Sequence, residues 1–165
     1  MTVTIRDTSL DDLAAIAAIY ADHVKHGLAS FEYDPPSEAE MTRRFQALAD
    51  GGHPYLVAEK DGEAVGYAYA GPFHTRKAYE LTVENSVYLA PKAQGQGIGT
   101  QLLERLILEC RRREYRQMIA VITKLNPAWS VRLHEKAGFE YVGTLKEVGF
   151  KKDQWLDVIY MQLAL

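Results

Sequence analysis

The residues with chemical potential concentrate in Val87-Tyr88-Leu89-Ala90-Pro91-Lys92-Ala93-Gln94-Gly95-Gln96-Gly97-Ile98-Gly99-Thr100. An apolar strand enters a loop with glycine at 95, 97 and 99, and the loop opens into a helix carrying Leu102 and Leu103. Glycines let successive backbone N–H groups turn toward one anion. The helix start adds its own unpaired N–H groups and the positive end of its dipole. The pattern therefore suits the pyrophosphate of a cofactor and points to an enzyme. It is not a Walker loop, which needs Gly-Lys-Ser/Thr after four spacer residues. Nor is it the dinucleotide fingerprint Gly-x-Gly-x-x-Gly. Upstream, Glu84 lies in a mostly apolar strand with Val83 and Val87. A carboxylate there costs free energy unless it is paired or has a task. Burial would raise its pKa toward a value useful to a general base.

The elements that must position these groups are legible in outline. Thr2 to Arg6 alternates as a strand, and Ser9-x-x-Asp12 caps a helix carrying Leu13, Ile16, Ile19 and Tyr20 on one face. A loop from Gly27 to Pro36 holds Phe31, Glu32 and Tyr33. The capping box Ser37-x-x-Glu40 then starts a second helix, which Gly51-Gly52 ends. Tyr55–Glu59 and Glu63–Ala70 read as a hairpin around Asp61-Gly62. Leu81–Leu89 is the next strand, followed by the glycine loop and a helix to about Glu114. Gln117–Thr123 is a strand, Pro127–Lys136 a short helix, and Phe139–Val148 and Trp155–Leu163 the last strands. The order β-α-α-β-β-β-α-β-α-β-β predicts an α/β fold with a mixed sheet flanked by helices.

Composition narrows the class. The 165 residues predict one domain spanning 1–165, with 47% hydrophobic and 25% charged residues, as expected of a globular protein. A net charge of −3 gives a nucleic-acid or acidic-membrane partner no electrostatic support. No apolar run reaches membrane-helix length, no signal-peptide core opens the chain, and one cysteine excludes an internal disulfide. These features favour the cytoplasm. His23, His26, His53 and His74 lack ligand spacing, so no metal is expected. Cys110 shares a helical face with Leu102, Leu103, Leu106 and Ile107 and reads as core, which leaves no evident nucleophile for a covalent route. Arg111-Arg112-Arg113 reads as a solvated helix end.

Gln94, Gly97 and Gly99 form Gln-x-x-Gly-x-Gly, which resembles the acyl-coenzyme A loop of the GNAT acetyltransferase superfamily. The predicted element order, over the full length, is also that of the GNAT fold, whose sheet is mostly antiparallel. Five further segments resemble the phosphinothricin and methionine-sulfoximine acetyltransferase branch. They are Thr82-Val83-Glu84-x-Ser86-Val87-Tyr88, Ser130-Val131-Arg132-Leu133-His134-Glu135, Lys151 with Trp155-x-Asp157-Val158, Ser30-Phe31-Glu32, and Arg76-x-Ala78-Tyr79. The resemblance implies acetyl-coenzyme A as cosubstrate, no metal, and transfer to the α-amine of a small amino-acid-like molecule. It implies Glu84 as base and His134 near the reaction. It places Val87, Tyr88, Leu89, Gln94, Gly95, Gln96, Gly97, Ile98, Gly99 and Thr100 on the cofactor. For the substrate it implies Phe31, Glu32, Tyr79 and Trp155, with Arg76 or Lys151 on a carboxylate. It also implies a homodimer. The branch usually has a cofactor-contacting asparagine where Pro127 stands; here Asn126, one residue earlier, is the residue expected on the cofactor. Lys152-Asp153-Gln154 replaces a turn that often holds glycine. Two alternatives remain open at this level: a GNAT enzyme for a polyamine or protein N-terminus, and a non-catalytic acyl-coenzyme A binding module, which would not need a buried base.

Overall fold

A computed structural model describes residues 2–165. Seven strands form one sheet in the order β1-β2-β3-β4-β5-β7-β6. They are β1 (Val3–Asp7), β2 (Tyr55–Lys60), β3 (Glu63–Pro72), β4 (Thr82–Leu89), β5 (Gln117–Thr123), β6 (Glu140–Lys151) and β7 (Gln154–Ala164). Every pairing is antiparallel except β4 with β5. The helices are α1 (Leu13–His26), α2 (Glu38–Asp50), α3 (Ile98–Arg112) and α4 (Trp129–Lys136). This is the element order expected from the sequence. The differences lie at ends: Leu10–Asp12 forms a single 3-10 turn before α1, α4 starts at Trp129, and β6 runs on to Lys151.

Local chemistry accounts for the main boundaries. Ser37 accepts the Glu40 N–H at 3.1 Å and caps α2. The Ser9 N–H donates to the Asp12 carboxylate at 2.8 Å, and Arg6 grips the same carboxylate with two nitrogens at 2.8 and 2.9 Å, so β1 and α1 meet at a fixed angle. Asp61 and Gly62 both adopt positive φ, the geometry of a two-residue hairpin turn matched to strand twist. At the β6–β7 hairpin Lys152 and Asp153 take the same conformation without glycine.

Two apolar layers hold the sheet. On one face α3 lays Ile98, Leu102, Leu103, Leu106 and Cys110 against Leu56, Ala68, Val83, Met118 and Ala120. On the other, α1 and α2 press Leu13, Ile16, Tyr20, Met41 and Phe45 onto Tyr55 and Tyr67. Cys110 is fully buried and burial pushes its thiol up to about 12, in keeping with a packing role. Contact is close where β3 passes under β4 and α3. A methyl group on Gly66 would lie 2.5 Å from Leu89 Cδ2 and 3.1 Å from the Tyr88 carbonyl. Gly66→Ala is therefore expected to lower stability by about 1–3 kcal/mol through overpacking, read as a reduced urea midpoint at unchanged m-value.

Candidate active site

The strands that carry the expected chemistry do not stay together. β4 pairs with β5 only at Thr82–Gln117, Val83–Met118 and Glu84–Ile119, whereas it pairs with β3 over its whole length. Beyond Glu84 the two parallel strands part. A cavity of about 560 Å³ fills the gap, walled by Glu84, Ser86 and Tyr88 of β4, Thr123 of β5, Phe31 of the α1–α2 loop and His134 of α4. From Asn85 to Leu89 the β5-facing edge of β4 has no strand partner, an edge that can bind an extended amide-bearing chain. One of its carbonyls, that of Leu89, is already taken by the His23 Nε2–H at 2.8 Å.

Glu84 lies half-buried in the wall, and its carboxylate has no hydrogen-bond partner among the described residues. Burial raises its pKa, and His74 opposes this only in part. Tyr20, Tyr69 and Tyr88 line the cavity beside it, each with its hydroxyl pKa raised chiefly by burial. The pocket is thus a weakly solvated place holding one unpaired acid.

At the far end of β4 the glycine loop meets the demands of an anion. Gly95 and Gly97 have positive φ, and a Cβ at either would have no atom within 4 Å, so the loop surface is open. The N–H groups of Gly95, Gln96, Gly97, Ile98, Gly99 and Thr100 find no acceptor among the described residues; the first to do so is Gln101, on the Gly97 carbonyl. Gln96 folds back to donate to the Lys92 carbonyl and to accept from Lys60, both at 2.7 Å, which braces the loop. Gln94 is exposed on its rim. Gly99 differs from its neighbours: its φ is ordinary, and a methyl there would meet Leu89 at 3.5 Å, so helix packing rather than backbone conformation is its constraint. The donor set fits a pyrophosphate.

Of the residues expected on the substrate, Phe31 and Glu32 reach the cavity. The Glu32 carboxylate is not free: Arg44 grips it at 2.8 and 3.0 Å, the Tyr20 hydroxyl donates to it, and the Arg44 bonds lead in lowering its pKa. Lys151 is placed otherwise than expected. It is buried, and its ammonium donates to the Ser30 carbonyl at 2.6 Å, so it ties the α1–α2 loop to β6. Arg76 caps a short turn outside the cavity, and Tyr79 stands edge-on to Phe73 and His74. Trp155 is 62% exposed against Phe150, and Asn126 lies exposed in the β5–α4 loop. Sequence reasoning missed Asn85, Arg44, Tyr69 and Thr123. Asn85 left a signal, as a polar residue at the inward position between Val83 and Val87.

This fold and site define a GNAT acetyltransferase, a class that draws its acetyl group from acetyl-coenzyme A. The chain matches the Acetyltransferase (GNAT) domain over residues 5–160 and belongs to that family. It is 49% identical to a phosphinothricin N-acetyltransferase of Alcaligenes faecalis over 98% of this chain and 82% of the relative. It is 40% identical to an L-methionine sulfoximine/L-methionine sulfone acetyltransferase of Pseudomonas paraeruginosa, covering 100% of this chain and 96% of the relative. Its structure is similar to a GNAT phosphinothricin acetyltransferase from Sinorhizobium meliloti in complex with acetyl-coenzyme A. The TM-score is 0.97 at 47% identity, over 100% of this chain and 89% of that one. No group of His, Cys, Asp and Glu among the described residues has metal-binding geometry, and no helix there is long and apolar enough to cross a membrane.

Because the folded pKa of Glu84 is raised, the folded state binds the proton more tightly than the unfolded chain. Stability is then lost as pH rises from the unfolded value of about 4.5 through the folded one. Glu84→Gln removes that loss. The variant should melt close to wild type near pH ~4 and above it by a few degrees at pH ~8 in differential scanning calorimetry. A gap independent of pH would contradict the burial of a titrating carboxylate.

Proposed function

We propose that the protein transfers acetyl from acetyl-coenzyme A to the α-amine of a small amino-acid-like substrate of the phosphinothricin, methionine sulfoximine or methionine sulfone type, with Glu84 as general base. The observation that carries the reading is the single unpaired carboxylate, raised in pKa, on the wall of a cavity that opens where β4 leaves β5. The names of the relatives support the substrate class.

The division of labour follows from position. The six free N–H groups from Gly95 to Thr100 would hold the pyrophosphate, and the exposed edge of β4 at Val87–Leu89 would align the arm that follows it. When bound, the cosubstrate supplies an acetyl thioester. Glu84 would take the proton of the substrate ammonium, directly or through one water; the neutral nitrogen would bond the acetyl carbon as its bond to sulfur breaks, and the second nitrogen proton would leave with the thiolate as a free thiol, without an acetylated enzyme. The buried thiol of Cys110 offers no rival nucleophile. His134 lies across the same cavity. Phe31 supplies an apolar wall and is seated against Gly149 of β6, where even a methyl group would fall 2.3 Å from the ring. A cation for the substrate carboxylate is Arg76, exposed before β4 and free of side-chain partners among the described residues, whereas the Lys151 ammonium is already spent on the Ser30 carbonyl.

The reading includes a cytoplasmic homodimer. β6 is an unpaired sheet edge, and Tyr141, Val142, Leu145, Val148 and Phe150 along it are exposed together with Trp155. An unpaired edge bearing exposed apolar side chains is suited to burial against another chain. A second copy covering it would also cover Trp155.

Glu84→Gln should lower kcat by about 100- to 10,000-fold at pH 7 while leaving acetyl-coenzyme A affinity near wild type by calorimetric titration. In wild type kcat/KM should rise with pH through the elevated Glu84 pKa, and the variant should lack that limb. A variant kcat within about twofold of wild type would remove the role.

The substrate class is tested by turnover on a panel at fixed acetyl-coenzyme A. Phosphinothricin or methionine sulfoximine should exceed spermidine and a short peptide amine at least about tenfold in kcat/KM, because a site built for a carboxylate is left unpaired by substrates that lack one. Preference for the polyamine or peptide would refute the substrate while leaving the fold and cosubstrate in place.

A further inference from the structure

The point where β4 and β5 part is spanned by one side chain. Asn85 follows the last rung, Glu84–Ile119, and is buried at 7% exposure. Its Nδ2 donates to the Ile119 carbonyl of β5 at 3.3 Å. Its Oδ1 lies 3.0 Å from Nε2 of His134, which is itself 4% exposed on α4. The other ring nitrogen, Nδ1, lies 2.7 Å from the Ser130 carbonyl one turn back on the helix, and the Phe139 ring closes the imidazole edge-on. Asn85 thus joins β4, β5 and α4 at the throat of the cavity.

We infer that Asn85 is a positioning residue of the transfer site, holding His134 in one orientation and setting where its proton resides. The argument is one of donors and acceptors. The Ser130 carbonyl can only accept, so Nδ1 carries a hydrogen. The Ile119 carbonyl can only accept, so the amide nitrogen of Asn85 faces it and the amide oxygen faces Nε2. Both ring nitrogens then face acceptors. A neutral ring satisfies only the Ser130 side, and an imidazolium satisfies all three bonds. When the ring is neutral, the amide must turn over to donate to Nε2, and it then gives up its bond to Ile119.

The proton on His134 is therefore coupled to the bond that bridges the two diverging strands. Opposing this, burial favours the neutral ring, and the Ser130 carbonyl only partly offsets it. The other titratable groups of the cavity are Glu84 and Tyr88 of β4, Glu32 of the α1–α2 loop, Tyr20 of α1 and Tyr69 of β3. Arg132, Glu135 and Lys136 share the helix of His134. None of these is hydrogen-bonded to the His134 ring, whereas Asn85 is, at 3.0 Å on Nε2. Asn85 is therefore the side chain from outside α4 that faces the ring's second nitrogen.

The inference rests on the cavity being the transfer site proposed above, but its test does not require turnover. Two variants separate the effects. Asn85→Leu keeps the size and removes both hydrogen bonds. Asn85→Asp keeps the acceptor toward Nε2, makes it anionic and loses the donor toward Ile119. The His134 ring is followed by NMR titration in the unliganded protein, with backbone spectra reporting the fold. Nδ1 should carry the proton in the neutral wild-type ring. The His134 pKa should rise by about one pH unit in Asn85→Asp and fall in Asn85→Leu. Acetyl transfer should drop about tenfold or more in both. A His134 pKa in Asn85→Asp within about 0.3 of wild type overturns the inference; that variant decides alone if the leucine variant does not fold. A responsive His134 together with an unaffected Glu84→Gln enzyme would sink the base assignment and leave this one standing. An inactive Glu84→Gln enzyme with an indifferent His134 would do the reverse.

Discussion

The structure depends on a failure of pairing. Two neighbouring parallel strands, β4 and β5, share three rungs and then separate, although each remains fully bonded on its other side. β4 holds to β3 from Val83–Pro72 to Leu89–Gly66, and β5 holds to β7 from Gln117–Ala164 to Thr123–Val158. Because the sheet is anchored on both flanks, the gap does not collapse. It also leaves main-chain groups of β4 unpaired in the middle of a sheet, which is costly unless something polar takes them up. An extended, amide-rich arm led in from the glycine loop is the kind of ligand that can do so. The parting thus produces both the cavity and an edge open to such a ligand.

Most polar groups around the gap are restrained, and the one that is not stands out. Arg44, Tyr20 and Ser30 converge on Glu32, and Lys151 draws the Ser30 carbonyl toward β6, so the α1–α2 loop forms a wall fixed from three directions. These charge-assisted bonds steady the loop that seats Phe31 against Gly149. The buried Glu109 on α3 is likewise satisfied by Arg105, Arg112 and Arg113, so two members of the basic run are structural and the run is not a free cationic patch. Glu84 alone lies half-buried in the pocket without a partner. A buried acid left in that state weakens the fold where it is ionised, as at sites where stability is given up for reactivity.

The tyrosine cluster gives this site its character. Tyr55, Tyr67 and Tyr69 stack on one another, and Tyr88 packs against Tyr20 and Tyr67. The rings exclude water on the Glu84 side, and burial keeps their hydroxyls protonated. Neutral, weakly solvating walls raise the pKa of a nearby carboxylate without supplying a cation that would lower it again.

What the sequence by itself determined was whatever depends on neighbours along the chain. Alternation, caps and the Asp61-Gly62 turn defined the elements and their order. The glycines at 95, 97 and 99 marked the cradle, and Glu84 was conspicuous as an acid in an apolar strand. Boundaries slipped where the last turn is shaped by packing, as at the start of α4. What only the tertiary structure decided was which of several plausible polar side chains are free. Lys151 and Glu32 carry the same charges in sequence as in space, but one is buried on the Ser30 carbonyl and the other is gripped by Arg44, contacts made across 121 and 12 residues. Asn85 is visible in sequence only as a polar residue at an inward position, and its partners appear once β5 and α4 are brought to either side of it. Local spacing reveals the chemistry a residue is capable of. Whether it is spent on holding the fold or left available for a ligand is set by partners that are distant in the chain, and those are chosen by the packing of the sheet.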